Sequence, residues 1–101
     1  MTQIPDQVTL IDHPLIRVRL TKLRDKDTPL VEFRSQLQQI AQLMTFELTR
    51  NFELRQVEVK TSNASAEGFE AVRPLILVPI LRAGIGMLDG ILEVLPEAQI
   101  G

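Results

Sequence analysis

The sequence predicts an α/β fold in which a parallel sheet is flanked by helices and preceded by an N-terminal helical arm. Three observations predict it. Pro74-Leu75-Ile76-Leu77-Val78-Pro79-Ile80-Leu81 is apolar along its whole length, as in a parallel strand covered on both faces. The tight turn Arg82-Ala83-Gly84 follows, then an apolar-periodic stretch from Ile85, then a further strand onset at Ala98-Gln99-Ile100, which is the order of a βαβ unit. Upstream, residues 28–50 repeat apolar side chains at three- and four-residue steps, the period of a long amphipathic helix.

Residues 1–27 read as the arm. Met1 to Thr9 is polar and broken by Pro5, and Leu10 and Ile11 lead into Asp12-His13-Pro14. From Leu15 to Leu23, Ile16, Leu20 and Leu23 recur at helical spacing among Arg17, Arg19, Lys22 and Arg24, so a short amphipathic helix is expected. Its cations, with Lys26, make residues 17–26 locally basic, read here as a solvated helix face with no site assigned. Asp25-Lys26-Asp27 is turn chemistry. Thr28 is placed as the cap of the long helix and Pro29 as its first residue, where a missing N–H costs nothing. Leu30, Phe33, Leu37, Ile40, Ala41, Met44 and Leu48 form the apolar stripe of that helix, read as core or subunit interface.

After Asn51 the period changes. Val57-Glu58-Val59-Lys60 alternates apolar and polar, so a half-exposed strand is expected over residues 56–61. Ser62 to Glu67, small and polar with Gly68 behind it, reads as a loop. The core unit is then the strand, turn and helix of residues 74–101. Pro79 stops regular ladder pairing near the end of the strand. Met87, Leu88, Ile91, Leu92 and Leu95 share one side of the final helix, and Pro96 ends it.

The chain has 101 residues, 11 Lys and Arg against 13 Asp and Glu, and a net charge of −2, which sets one domain at most. A near-neutral balance and only four aromatic residues, Phe33, Phe46, Phe52 and Phe69, argue against nucleic-acid binding. The absence of cysteine and the single histidine, His13, remove disulfides, thiolate nucleophiles and multi-histidine metal sites. No signal-peptide pattern begins the sequence, and no stretch reaches the ~18 apolar residues of a membrane span. A cytoplasmic protein is expected, with no membrane partner.

A strand apolar on both faces needs neighbours at both edges, and this sequence supplies one other strand and one other long helix. Two explanations follow: these residues are the N-terminal portion of a larger α/β domain, or strands are supplied by another subunit.

The turn carries the chemistry. Arg82, Gly84 and Gly86 stand where a parallel strand ends and a helix begins, the place where doubly wound sheets bind ligands. Glycines let backbone N–H groups approach an oxyanion, the helix dipole favours negative charge, and an arginine adds a two-pronged contact to phosphate. The spacing is neither the dinucleotide fingerprint nor Walker A. A second reading stays open, in which the glycines serve only a tight turn and Arg82 caps a strand end.

Val78-Pro79-Ile80-Leu81-Arg82-Ala83-Gly84-Ile85-Gly86-Met87-Leu88-Asp89-Gly90 resembles the signature of the uracil phosphoribosyltransferases, "VPILRAG-x-G-M-x-D-G". Pro96-Glu97-Ala98-Gln99 stands where that family has a "PSAR"-like stretch. His13-Pro14-Leu15, Arg19-Leu20-Thr21-Lys22-Leu23-Arg24 and Lys26-Asp27-Thr28 extend the resemblance over nearly the whole chain, which matches only the family's N-terminal half. The resemblance implies the N-terminal part of a type I phosphoribosyltransferase fold, incomplete in this chain. It implies conversion of uracil and 5-phosphoribosyl diphosphate into UMP and diphosphate in pyrimidine salvage, with Mg²⁺ bound through the donor's diphosphate, and a homo-oligomer. Arg82 matches the arginine that contacts that diphosphate, and Leu81, Ala83 and Gly84 match the loop whose backbone lies beside it. The catalytic residues stay unassigned, and the family's second donor-contacting arginine, its Asp-containing phosphate loop and its uracil-holding segment have no counterpart here. Asp89 is expected on a helix surface rather than as a metal ligand, and His13 is expected to be structural. A competing function is a noncatalytic regulatory or interaction protein derived from such an enzyme.

Overall fold

The computed structural model describes residues 6–80 and 85–101. Two helices, α1 (Pro14–Arg24) and α2 (Leu30–Leu48), are followed by an antiparallel hairpin, β1 (Leu54–Lys60) and β2 (Ser65–Ala71), and then by a short parallel pair, β3 (Ile76–Leu77) and β4 (Gln99–Ile100), with α3 (Ile85–Val94) between its two strands.

The start of α1 is tied twice. His13 Nδ1 accepts the Leu15 N–H at 3.1 Å, so its imidazole serves as the N-cap and Pro14 takes the first helical position, where its missing donor is harmless. Arg17 reaches back and donates through two nitrogens to both carboxylate oxygens of Asp12, each at 2.6 Å. His13 is structural, as its position before Pro14 suggested.

Thr28 does not cap α2. Pro29 is the N-cap residue and no side chain bonds the first turn. The Thr28 hydroxyl instead donates 2.7 Å to the Lys22 carbonyl near the end of α1, satisfying one of the carbonyls a helix terminus leaves without an intrahelical partner. The α1–α2 hairpin offers that acceptor, and a sequence pattern that looks only forward into α2 does not see it.

Helix α2 is the centre of the packing, with α1 and α3 against it. Its buried positions are Gln36, Ile40, Ala41 and Thr45, joined by Ile16 of α1. The expected stripe is covered in its middle and open at its ends: Leu30, Phe33 and Leu48 are exposed. Two neighbours rather than one widen the covered face, which draws in Gln36 and Thr45. Thr45 is 1% exposed because its hydroxyl donates to the Ala41 carbonyl at 2.7 Å, removing the desolvation cost of a buried hydroxyl.

The expected loop over residues 62–67 holds only at residues 62–64, and from Ser65 onward the chain is strand β2. β2 pairs antiparallel with β1 in the register Val57↔Gly68, Val59↔Ala66 and Leu54↔Ala71. The turn is closed by the Thr61 N–H donating to the Ala64 carbonyl at 2.7 Å. Ser65, Ala66, Glu67 and Gly68 have little strand propensity of their own, but β1 supplies the ladder. Gly68 is required by packing, since a Cβ there would lie 2.7 Å from Val59 Cγ2. Apart from Val57 and Gly68 the hairpin is exposed on both faces.

The run at 74–81 forms a shorter strand than expected. Among the described residues Ile76 and Leu77 form the ladder with β4, and Gln99 and Gly101 donate to the Leu75 and Leu77 carbonyls, each at 2.8 Å. Burial also alternates along it. Leu75, Leu77 and Pro79 are half-buried, while Ile76, Val78 and Ile80 are exposed, the last two at 73% and 80%. One face is covered where the all-apolar pattern called for two. The radius of gyration, 17.3 Å, exceeds the ~13 Å of a compact chain this long.

Candidate functional site

The candidate site lies between β3 and α3. All four residues singled out for donor contact, Leu81, Arg82, Ala83 and Gly84, lie outside the described residues, so the geometry comes from the elements that flank them. Strand β3 runs parallel to β4, and α3 makes the crossover between them, its first residue Ile85 directly following Gly84. The beginning of a helix at the exit of a parallel strand presents free N–H groups and the positive end of the helix dipole. A groove of about 420 Å³ opens between the two elements, lined by Leu77, Val78, Ile80, Met87, Leu88 and Ile91. Its walls are apolar, so its residues offer surface rather than charge.

The glycines that follow the turn have a packing role that their spacing concealed. A Cβ on Gly86 would lie 2.8 Å from Leu37 Cδ2 on α2. A Cβ on Gly90, which is buried, would overlap the Gln38 carbonyl oxygen and lie 3.0 Å from both the Gln38 carbonyl carbon and Ala41 Cβ. Gly86 and Gly90, four residues apart and hence on one helix face, are the surface on which α3 seats against α2. Farther along, the Gln42 side-chain amide donates to the Glu93 carboxylate. The i,i+4 glycine pair was the available signal for this crossing; the tie from Gln42 to Glu93, 51 residues apart in sequence, had none.

Asp89 is exposed on α3, as expected for a helix-surface residue. Among the described residues no three His, Cys, Asp or Glu side chains converge as a metal site would require. The shifted carboxyl groups lie in the arm and at the end of α2 instead. The hydrogen bonds and charge of Arg17 hold Asp12 below its ordinary pKa, and those of Arg50 do the same for Glu47. No helix among the described residues is long and apolar enough to cross a membrane.

Residues 10–101 match the family model described as uracil phosphoribosyltransferase. The chain belongs to the uracil phosphoribosyltransferase family. Relatives of that name include one from Mycoplasma mycoides, 49% identical over 92 residues, covering 91% of this chain and 44% of the relative. Another from Mesoplasma florum is 47% identical with the same coverage, and one from Alkaliphilus oremlandii is 46% identical, covering 94% of this chain and 46% of the relative. A solved structure of a protein from Aquifex aeolicus superposes with a TM-score of 0.84 at 30% identity, covering 92% of this chain and 45% of that one. The chain therefore spans less than half the length of the relatives it matches. For a uracil phosphoribosyltransferase segment, the family's signature stretch here occupies the β3 exit and most of α3.

Proposed function

We propose that this protein is a uracil phosphoribosyltransferase, joining uracil to 5-phosphoribosyl diphosphate to give UMP and diphosphate. One observation carries the reading: the stretch Val78 to Gly90, which resembles the family signature, sits at a parallel-strand exit leading into a helix, in a chain 47% identical to a relative of that name. In the reaction the donor's bond from C1′ to the diphosphate oxygen breaks, uracil N1 bonds to C1′ and gives up its proton, and diphosphate leaves. Charge gathers on the departing diphosphate, so a cation and backbone N–H groups at a helix start are the groups that chemistry needs. Arg82 takes the role of donor contact, with the backbone of Leu81, Ala83 and Gly84 beside the diphosphate. Mg²⁺ bound through the donor's diphosphate would neutralise its phosphate oxygens.

In this reading residues 1–101 supply the N-terminal portion of one type I phosphoribosyltransferase domain, and β3 belongs to a longer parallel sheet flanked by helices. The exposed side chains of Ile76, Val78 and Ile80 are the face that such a sheet would cover. The protein works in the cytoplasm as a homo-oligomer. No observation favours the noncatalytic alternative.

The test is UMP formation by the protein purified from its native cells, with uracil, donor and Mg²⁺ supplied. Turnover with uracil that stops when the donor is omitted supports the reading. No UMP under saturating substrates overturns it.

A further inference from the structure

We infer that His13 is a pH-operated latch between the arm and α2: the neutral ring closes the start of α1, and the protonated ring turns to the Glu47 carboxylate near the end of α2. The inference is independent of the function proposed above. His13 is the single histidine of the sequence, and histidine is the side chain that ordinarily changes charge between about pH 5 and pH 8. Its cap is a bond that one charge state alone can make. Nδ1 accepts the Leu15 N–H at 3.1 Å, so that nitrogen is bare and the ring's proton is on Nε2. A second proton takes the acceptor away, and it also sets a positive charge against the positive end of the α1 dipole.

A place for the protonated ring is already built. Helices α1 and α2 pack together, and His13 and Glu47 line the same two cavities, of about 390 Å³ on the Thr9 side and about 320 Å³ on the Ile16 side. Positive charge on His13 is one of the causes that hold the Glu47 carboxyl low. The other charged groups around the ring are Asp12 with its partner Arg17, and Arg50 from the end of α2. Both carboxyls are held below their ordinary pKa values by those arginines, so they stay ionised over the whole range in which histidine titrates. Arg17 engages both oxygens of Asp12. Arg50 takes one bond at each oxygen of Glu47, and a carboxylate has lone pairs left for a further donor. Glu47 also stands in the last turn of α2, where the helix dipole favours a cation. Each charge state of His13 thus has its own partner, one on each helix.

Magnetic resonance on the isotope-labelled native protein, followed from about pH 8 to pH 5, tests the inference. As the ring protonates, the Leu15 amide signal should leave its hydrogen-bonded position and its corrected exchange with water should rise ~5-fold, the usual worth of one N-cap. The Glu47 side-chain carboxyl signal should step at the same midpoint. His13→Asn should flatten both signals, because an asparagine cap holds the same N–H at every pH in that range. Glu47→Ala should keep the Leu15 bond to lower pH than in the native protein, because the protonated ring has lost its second partner; should His13→Asn fail to fold, this variant carries the test alone. A Leu15 amide that stays bonded while the ring protonates overturns the inference. So does a Glu47 step that persists in His13→Asn, or a Leu15 change at the same pH in Glu47→Ala and native protein. None of these outcomes bears on the turnover of uracil.

Discussion

The Thr28 hydroxyl donates to the carbonyl of Lys22, 2.7 Å away, so the residue placed to start α2 closes α1 instead. This bond links the two helices across the Asp25 to Asp27 turn, where Asp25 also accepts the Asp27 N–H at 2.9 Å. Thr28→Ala should lower stability by ~1 kcal/mol, the usual net worth of one hydrogen bond, and Thr28→Ser should keep most of it. Thr28→Asp separates the two roles. A capping residue would tolerate Asp, but here an acceptor-only carboxylate would face a carbonyl, so thermal melts should show Thr28→Asp at or below Thr28→Ala.

Arg82 is expected to act on the donor. Arg82→Ala removes a charge-assisted contact worth ~1.5–3 kcal/mol, which at ~1.4 kcal/mol per tenfold lowers kcat/KM for phosphoribosyl diphosphate about 10- to 150-fold, with uracil affinity changed far less. Arg82→Lys should recover only part, since an ammonium lacks the planar fork that grips two phosphate oxygens. Kinetics within about twofold of native for a folded Arg82→Ala protein would show that the arginine caps a strand end.

The 101-residue polypeptide tested by itself should form no UMP. Transfer requires donor and base held in register, and the chain spans under half the length of relatives that bear the enzyme's name. Activity above a mock preparation would refute this.

Exposed apolar strand surface should make that same polypeptide bind hydrophobic dye and self-associate. Val78 and Ile80 are its most open side chains on the β3 face. Val78→Lys with Ile80→Lys should reduce both signals, as read by dye fluorescence and sizing. A dye-silent monomer with one sharp melting transition would count against an uncovered face.

The pH dependence follows from two exposed pairs. Asp12, bonded by Arg17, and Glu47, bonded by Arg50, have folded pKa values below their ordinary ones, 3.8 and 4.5. Each therefore contributes stability that is fully present above the ordinary value and is lost as pH falls through the lower folded value. Melting midpoints should be insensitive to these pairs from pH ~8 to ~5 and respond to them only below about pH 5. Asp12→Asn should flatten part of that acid limb and leave the midpoint at neutral pH close to native, because both groups are well exposed. A midpoint at neutral pH that drops sharply in Asp12→Asn would assign the pair a larger role.

The sequence by itself determined the elements whose cause is local. Helices α1, α2 and α3 were legible from their 3.6-residue period, the break after Asn51 from a change of period, and β4 from its apolar onset beyond Pro96. His13 and Asp89 were placed correctly for the same reason, one beside a helix-starting proline and the other on a polar helix face. The signature around Arg82 was legible as residues and marked the family. Tertiary structure alone decided the rest. Ser65 to Ala71 is a strand because β1 supplies its partners. Gln36 and Thr45 turn inward because α2 is covered by α1 and α3 together. Gly86 and Gly90 are read as packing glycines only once Leu37 and Gln38 are opposite them. Each of these depends on atoms distant in sequence, and a hydrogen-bond ladder or a helix crossing is a property of both partners, so neither segment carries its pattern alone.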